Sequence, residues 1–264
     1  MSSFAADWLA LREPFDLRAR NPEVLAAVAA SLAHLPSVNV VDLGCGTGST
    51  MRALSRHLPP RQSWRLFDND LSLLARASDA PNVTTIPLDL FRDLEAALDG
   101  PVDLVATSAL LDLVSGEWLE RLAVEAAARQ VTVYAALTYD GGVSIDPVDD
   151  ADQSIIAAVN AHQRRDKGFG PALGPVAARA VVERFERVGY SVVQGASDWR
   201  FGPQDREIQT EVLSGWVTAA REMGSLPLPD VIGWLTRRRE LLDAGRSSIR
   251  VGHVDIFARP TGRR

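Results

Sequence analysis

The chain has 264 residues, which is enough for one α/β domain with an added lid or a small appendage. Its net charge of −6 argues against a surface that grips nucleic acid through phosphates. The single cysteine, Cys45, excludes an intramolecular disulfide and a thiolate metal cluster. The N-terminus has no basic segment before an apolar run, and no stretch reaches transmembrane length, so we expect a cytoplasmic protein without membrane contacts.

Two helices are predicted before the first strand. Apolar residues at helical spacing from Phe4 onward predict a short helix that breaks at Pro14. A second helix is predicted from Asn21 to His34, with Pro22 in its first turn, where a missing N–H costs nothing.

A buried strand then breaks abruptly into a glycine loop. Asn39–Leu43 is apolar and β-branched, as a parallel strand covered on both faces must be. Gly44, Gly46 and Gly48 leave no Cβ on one side of the turn, so a flat ligand can lie against the backbone. The helix predicted from Ser49 points its free N–H groups into the same crevice.

The acid before these glycines, Asp42, indicates what kind of ligand the loop binds. A Walker A loop is excluded because no Gly-Lys-Ser/Thr follows, and a dinucleotide fingerprint is disfavoured because the spacing is G-x-G-x-G. A carboxylate here would repel a pyrophosphate but attract an ammonium or a sulfonium. The loop therefore indicates a nucleoside with a cationic tail.

At these residues the sequence resembles the class I S-adenosylmethionine-dependent methyltransferases, whose first motif is an acid followed by G-x-G-x-G after the first strand. The resemblance covers Val38 to Phe257 as architecture, with specific motifs only from Val40 to about Asp112. It implies S-adenosyl-L-methionine as cofactor and S-adenosyl-L-homocysteine as product. Cys45 would be a small side chain packed under that cofactor.

The second strand, Ser63–Phe67, has Asp68 at its carboxyl end. In an open parallel sheet ligands occupy the crevice at the strand ends, and a carboxylate there can accept both hydroxyls of a ribose. The family's acid matches Asp68. Asp70 is the rival for this role, but it would more naturally cap the helix predicted over Leu73–Ala77.

The third strand, Val83–Pro87, leads to Asp89. The family's third motif implies that this aspartate accepts a hydrogen bond from the adenine amino group, and a plain loop aspartate is the alternative. Leu90 or Phe91 would supply an apolar wall against the purine.

In the resembling family the N-terminal helices close over the cofactor, so Arg12, Arg18 or Arg20 could reach its methionine carboxylate. The alternative is that these arginines pair with Glu13 and Asp16 on a solvated face. We choose Arg20, the one nearest the helix junction. The predicted cofactor residues are Arg20, Asp42, Gly44, Cys45, Gly46, Gly48, Asp68, Asn69, Asp89, Leu90 and Ser108.

The fourth strand, Val102–Thr107, lies beside the first in the doubly wound order, so methyl donor and acceptor should meet where it ends. Asp112 stands where several small-molecule members of the family place a histidine or an acid, and it could orient or deprotonate the acceptor. Its alternative role is an acid stabilised by the dipole of the helix predicted over Gly116–Arg129.

The fifth strand, Val131–Leu137, brings Tyr139 toward the same crevice. The acidic stretch Val143–Asp152 is predicted to be a solvated loop.

A polar, glycine-rich segment, Asn160–Gly170, is predicted to be a lid over the acceptor, with His162, Gln163 or Phe169 contacting substrate. A surface helix with a flexible glycine end is the alternative. His162 and Asp166 share one helical face, which would suit a metal, but no third ligand is close in sequence and no metal is predicted. The predicted catalytic residues are Asp112, Tyr139 and His162.

Helices and strands alternate in the remaining sequence, with Asp198–Phe201 trailing out of a strand. The predicted elements are a helix over Gly174–Val188, a strand over Tyr190–Gly195, helices over Asp205–Met223 and Pro229–Ala244, and a closing strand over Ser248–Ala258.

Alternating strands and helices predict an α/β fold. The resemblance implies a doubly wound seven-stranded sheet in the order 3-2-1-4-5-7-6, the last strand antiparallel, with helices on both faces and a helical lid. We expect a single domain over residues 1–264, with lid helices in 1–36, a cofactor-binding half in 37–140 and a substrate-side half in 141–264.

The predicted function is methyl transfer from S-adenosylmethionine to an oxygen or nitrogen of a small molecule, without a nucleic-acid partner. The chain would act as a monomer or a homodimer. The alternatives are a non-catalytic S-adenosylmethionine-binding protein and a nicotinamide-dependent oxidoreductase.

Overall fold

The computed structural model describes residues 6–77 and 82–262, so the predicted helix start at Phe4 lies outside the described residues. The helices are α1 (Ala6–Ala19), α2 (Pro22–Leu32), α3 (Ser49–Leu54), α4 (Leu71–Leu74), α5 (Leu94–Ala97), α6 (Gly116–Arg129), α7 (Asp152–His162), α8 (Ala177–Arg187), α9 (Arg206–Met223) and α10 (Leu228–Asp243). The strands are β1 (Val38–Leu43), β2 (Gln62–Asp68), β3 (Val83–Pro87), β4 (Leu104–Ser108), β5 (Thr132–Asp146), β6 (Tyr190–Ala196), β7 (Trp199–Phe201) and β8 (Ser248–Pro260).

The strands form one sheet in the order β3-β2-β1-β4-β5-β8-β6, and β7 pairs with β8. β3, β2, β1, β4 and β5 run parallel, whereas β8 is antiparallel to both β5 and β6. The predicted order is confirmed, with β8 in the place of the predicted seventh strand. Leu43 lies level with Phe67 on β2 and with Thr107 on β4, so these three strands end at one edge.

Helices cover both faces of the parallel part because alternate residues of its strands are buried on opposite sides. On β1, Val41 belongs to a core cluster with Trp118 of α6 and Phe185 of α8. Its neighbour Val40 belongs to a second cluster with Val28 of α2. The continuous apolar run that predicted a buried strand is therefore explained by two cores.

A third core cluster forms where α7, α9 and α10 pack against β7, β8 and the far half of β5. Trp234 of α10 donates its Nε1–H to Asp152 Oδ1 at 2.8 Å, and the fully buried Arg238 pairs with the same carboxylate. A buried arginine needs such a partner, so this ion pair holds α10 against α7.

Strand β5 corrects the predicted end at Leu137 and the first part of the predicted loop over 143–152, whereas residues 147–151 are a loop as predicted. The strand continues to Asp146 and pairs with β8, with register shifts on either side of the Thr138–Tyr139 pair. Ile145 is buried while Ser144 and Asp146 are exposed, which is the period-2 alternation of a strand with one covered face. The acidic residues in this stretch obscured that alternation.

Residues 199–201 likewise form a strand, β7, where the sequence predicted an irregular tail. Trp199 and Phe201 are buried and Arg200 between them is exposed, so the same alternation applies over a shorter span. β7 pairs with β8 through Trp199 and Val251.

Helix α1 corrects the predicted break, because it runs unbroken through Pro14. A proline inside a helix costs roughly 3 kcal/mol. Packing opposes that cost: Trp8 meets Trp199 edge-on at 6.3 Å between ring centroids, and Phe15 meets Phe201 at 5.1 Å. Tertiary contacts with β7 therefore favour the continuous helix.

None of the described helices combines the length and the apolarity that crossing a bilayer requires.

Candidate functional site

A cleft opens at the carboxyl ends of β1, β2 and β4, between α1 and the segment that follows α7. It encloses about 1070 Å³ of empty space, including its opening to solvent. It is lined by Leu9, Arg12, Asp16, Gly44, Cys45, Gly46, Thr47, Ser49, Thr50, Asp68, Asn69, Asp70, Leu73, Leu88, Leu90, Ser108, Ala109, Leu110, Leu113, Lys167 and Phe169. This is the edge at which an open parallel sheet is expected to bind a ligand.

The glycine loop forms the floor of the cleft in a backbone conformation that suits glycine. Gly44, Gly46 and Gly48 have φ values of +67°, +54° and +83°. A Cβ on Gly46 would lie 3.1 Å from Leu9 Cδ1 of α1, so the loop and this helix are in close contact. Both the turn and the approach of α1 therefore depend on glycine at this position.

Asp68 lies at the tip of β2 and is oriented by the loop itself. Its Oδ2 accepts the Gly46 N–H at 2.8 Å, and its Oδ1 accepts the Asp70 N–H at 3.0 Å. Asp70 caps α4, since its Oδ1 accepts the N–H groups of Ser72 and Leu73 at 2.8 and 3.3 Å. The two aspartates therefore have different structural roles: Asp68 is hydrogen-bonded to the glycine loop, and Asp70 caps a helix.

Asp42 lies in β1 directly before the glycine loop and is fully buried. Within the described part of the chain neither of its carboxylate oxygens has a hydrogen-bond partner. Burial raises its pKa to about 8 against the opposing attraction of Arg20, and the charge of Asp68 raises it further. A buried carboxyl without a partner is costly, so this group is poised to receive a donor or a cation.

Arg20 follows α1 and is buried in a polar network. Its Nη1 donates to the Tyr134 hydroxyl at 3.2 Å, and its Nη2 donates to Ser108 Oγ at 3.3 Å. The Tyr134 hydroxyl in turn donates to Asp255 Oδ2 at 3.1 Å, and the same oxygen accepts the Asn21 N–H at 2.9 Å. β8 thereby anchors the junction between α1 and α2 and fixes the guanidinium beside the cleft.

Asp112 is buried just after β4, and its Oδ1 has no hydrogen-bond partner within residues 6–77 and 82–262. Burial raises its pKa to about 6, although Arg12 and Lys167 both act to lower it. Tyr139 lies near it on β5 and donates its hydroxyl to Asn160 Oδ1 of α7 at 2.6 Å. Burial raises the pKa of the Tyr139 phenol, so it serves as a neutral donor.

The structure brings many of the predicted cofactor residues into the cleft wall, namely Gly44, Cys45, Gly46, Asp68, Asn69, Leu90 and Ser108. Asp89 has a different partner: its Oδ1 accepts the Phe91 N–H at 3.0 Å and caps a local turn. His162 lies at the outer end of α7, where its Nε2 is 2.9 Å from Glu222 Oε2 of α9.

Sequence reasoning did not select Arg12, Asp16 and Lys167, which also line the cleft. Arg12 was one of three candidates, and its spacing from Leu9 and Asp16 puts all three on one face of α1. This shared helix face was the feature of the sequence that could have identified Arg12 as a cleft residue. Lys167 lies in the glycine-rich segment predicted to be a lid, but its composition did not distinguish it from its charged neighbours.

Comparison with known proteins shows sequence similarity over part of the chain and structural similarity over most of it. No protein family model matches the sequence. Trans-aconitate 2-methyltransferase of Klebsiella pneumoniae is 35% identical over 121 residues, which cover 43% of this chain and 42% of that protein. The biotin biosynthesis bifunctional protein BioCD of Bordetella avium is 36% identical over 86 residues, 33% of this chain and 18% of that one. The matched segments thus span less than half of each relative.

Among solved structures, the YcgJ protein of Bacillus subtilis superposes with a TM-score of 0.50 at 14% identity, covering 92% of this chain and 100% of that one. The sequence identity is too low to transfer an activity, and the likeness concerns the fold. With the strand order and the acid and glycines at the end of β1, the chain has the fold of the class I S-adenosylmethionine-dependent methyltransferases, the family that its glycine loop resembles.

Proposed function

We propose that the chain is an S-adenosylmethionine-dependent methyltransferase that transfers a methyl group to an oxygen or nitrogen of a small molecule. The observation that carries this proposal is Asp42, a fully buried carboxyl without a partner among the described residues, beneath a glycine loop that opens into a cleft. A ligand with an ammonium group would supply the missing partner.

The residues around the cleft fit the parts of this cofactor. Asp42 would hold the ammonium, and Gly44 and Gly46 leave room for the amino-acid chain beside the backbone. Asp68, already oriented by two backbone N–H groups, would accept the ribose hydroxyls. Leu90 would pack against the adenine. When bound, the cofactor supplies a methyl group activated by the positive charge on sulfur.

Arg20 would bind the cofactor's carboxylate. Its side chain is buried, and its Nε has no hydrogen-bond partner in the described residues, while Tyr134 and Ser108 hold its two Nη groups. A guanidinium fixed in this way loses little side-chain entropy when it pairs with a carboxylate.

On the acceptor side, Asp112 would orient or deprotonate the attacking group. Its raised pKa of about 6 lets it take a proton from a hydroxyl or amine more readily than an ordinary aspartate. Tyr139 and His162 would act less directly: Tyr139 ties β5 to Asn160 of α7, and His162 lies beside Lys167 at the lid. Most of the rate would come from alignment of the two reactants.

The relative from Klebsiella supports a methyltransferase, because the similarity to a protein of that activity reaches 35% identity over 121 residues. The oxidoreductase alternative conflicts with Asp42, whose carboxyl would lie against a pyrophosphate. A non-catalytic binder would have no use for Asp112 in its buried, partly unpartnered state.

Calorimetry on the full chain tests the proposal. We expect S-adenosylhomocysteine to bind with one-to-one stoichiometry and NAD to give no heat. Undetectable binding of S-adenosylhomocysteine at millimolar concentration to folded protein would contradict the proposal. Incubation with methyl-labelled cofactor and a metabolite extract then separates an enzyme from a binder, since only a catalyst transfers the label.

A further inference from the structure

Two cationic side chains face the cleft from elements that are far apart in the chain. Arg12 comes from α1, and Lys167 comes from the segment after α7. Asp42 is influenced by Arg20, whereas Asp112 is influenced by Arg12 and Lys167. Arg12 and Lys167 also line the cleft together with Leu110, Leu113 and Phe169, whereas Arg20 is hydrogen-bonded to Ser108 at the end of β4, so we place the two cations at the acceptor end and Arg20 at the cofactor end.

The planar guanidinium of Arg12 is held by two contacts, a hydrogen bond at its edge and an aromatic ring near it. Its Nε donates to Asp16 Oδ2 at 3.0 Å, and its guanidinium carbon lies 4.9 Å from the centre of the Trp199 ring. Trp199 donates its own Nε1–H to Asp16 Oδ1 at 2.8 Å, which locks the carboxylate in turn. The described residues provide no hydrogen-bond acceptor for the two Nη groups, so these remain for a ligand.

Lys167 keeps hydrogen-bonding capacity as well. Its Nζ lies 3.3 Å from Nδ1 of His162, a ring whose Nε2 is occupied by Glu222. An ammonium has three donors, and a neutral imidazole nitrogen satisfies one of them. Partial burial lowers the pKa of Lys167, which an anion placed beside it would oppose.

Asp112 does not prevent an anion from binding between these cations. Its carboxylate makes no ion pair within 4 Å among the described residues, and burial raises its pKa to about 6. A second carboxylate beside it would raise its pKa further, toward the range in which a general base works best near neutral pH. Asp16 also lines the cleft, but its two carboxylate oxygens are engaged by Arg12 and Trp199. Leu110, Leu113 and Phe169 supply an apolar wall.

We propose that the methyl acceptor is a carboxylic acid with an apolar body, whose carboxylate is bound by Arg12 and Lys167. A hydroxyl or amine of the same molecule would attack the methyl carbon as the sulfur–methyl bond breaks, so that S-adenosylhomocysteine leaves and the acceptor's proton passes to Asp112. This inference rests on the proposed function, because it assigns the acceptor of the same cleft. The guanidinium fork and the ammonium would contact the carboxylate oxygens from opposite walls, while the apolar body packs against the leucines and Phe169.

The test compares acids with amides of the same shape. Octanoate and octanamide, and trans-cinnamate and trans-cinnamamide, are titrated into wild-type protein saturated with S-adenosylhomocysteine, with heat or tryptophan fluorescence as the readout. We expect at least one acid to bind about tenfold or more tightly than its amide, the range of a charge-assisted contact. If no acid in the panel binds more tightly than its amide, the proposal is overturned.

Lys167→Met keeps the length of the side chain and removes its charge. We expect it to reduce the preference for the acid about tenfold and to leave the dissociation constants of the amide and of S-adenosylhomocysteine unchanged. Arg165→Met is the matched control, because Arg165 is a half-exposed cation of the same segment that pairs with Glu222 outside the cleft. If Lys167→Met lowers the affinity for S-adenosylhomocysteine but keeps the preference for the acid over the amide, this cation belongs to the cofactor site and the proposal is refuted.

The outcomes also separate this inference from the function on which it rests. Failure of wild-type protein to bind S-adenosylhomocysteine would refute both. Normal cofactor binding with no preference for acids would refute only the assignment of the acceptor. Arg12→Lys provides a second variant, since it keeps the positive charge but loses the fork, and it should also reduce the preference.

Discussion

Asp42→Asn should stabilise the ligand-free protein and weaken cofactor binding at the same time. The carboxyl of Asp42 is fully buried, its oxygens have no partner among the described residues, and its pKa is raised from 3.8 to about 8. The folded chain therefore holds this proton more tightly than the unfolded chain does. Between these two pKa values the folded state has more protons bound, so its stability falls as the pH rises.

The size of this effect follows from the pKa shift. Each pKa unit corresponds to about 1.4 kcal/mol, and about three units lie between pH 5 and the folded-state pKa, so the wild type should lose roughly 4 kcal/mol over that range. Asn does not titrate. The variant's advantage in free energy of unfolding over the wild type should thus grow by roughly 4 kcal/mol from pH 5 to pH 9.

Urea denaturation of both proteins without ligand, at pH 5, 6, 7, 8 and 9, measures this difference. Asp99→Asn serves as the control, because Asp99 is 77% exposed in its side chain and its change should be within about 0.5 kcal/mol at every pH. A difference between wild type and Asp42→Asn that stays flat from pH 5 to pH 9 would show that Asp42 is not a strained buried acid, and the reasoning would fail.

The same variant should lower the affinity for S-adenosylhomocysteine about ten- to hundredfold, since the ligand's ammonium would lose a charge-assisted hydrogen bond. At pH 7 the wild type should release a proton on binding, because the ammonium lowers the pKa of Asp42. Calorimetry in two buffers of different ionisation enthalpy detects that proton. Equal heats in both buffers for the wild type would contradict the assignment.

The remaining predictions concern four side chains. Asp68→Ala should weaken the binding of S-adenosylhomocysteine by one or more kcal/mol, and unchanged affinity would move the ribose contact to Asp70. Asp70→Ala should lower the free energy of unfolding by about 1 kcal/mol, with a smaller effect on affinity. Tyr134→Phe removes the hydroxyl that holds Arg20 and should cost about 1 kcal/mol of cofactor affinity in titration calorimetry, with no loss if the arginine plays no part. Asp112→Asn should slow label transfer at least about a hundredfold and leave cofactor affinity unchanged; full activity would exclude it as a base.

The glycine loop followed from local sequence, and the sheet order followed from the family that the loop resembles. β1 is mostly apolar and contains Asp42 near its end, and the glycines after it fix the turn, so strand, loop and helix were all predicted within a few residues. Asp68 was separated from Asp70 by its position at a strand tip. The loop and Asp68 need only neighbours in sequence, and local pattern is sufficient for them.

Other features needed contacts between distant parts of the chain. β5 continues past Leu137 because β8 pairs with it, and no residue near 143–146 reveals that partner. Arg12 and Lys167 line one cleft only after α1 and the segment after α7 are placed at the same edge of the sheet. Asp89 was assigned from the family's motif; its Oδ1 accepts the Phe91 N–H, and its contact with adenine stays a prediction.

The continuity of α1 links the two ends of the cleft. Leu9 contacts the glycine loop, Arg12 lines the cleft where we propose the acceptor binds, and Arg20 follows the last turn where we propose the cofactor binds. At 1.5 Å per residue an unbroken helix keeps the two arginines about 12 Å apart along its axis. A break at Pro14 would let them move independently. The packing of α1 on β7 therefore does more than offset the cost of a proline, since it sets the spacing between the groups proposed to bind cofactor and acceptor.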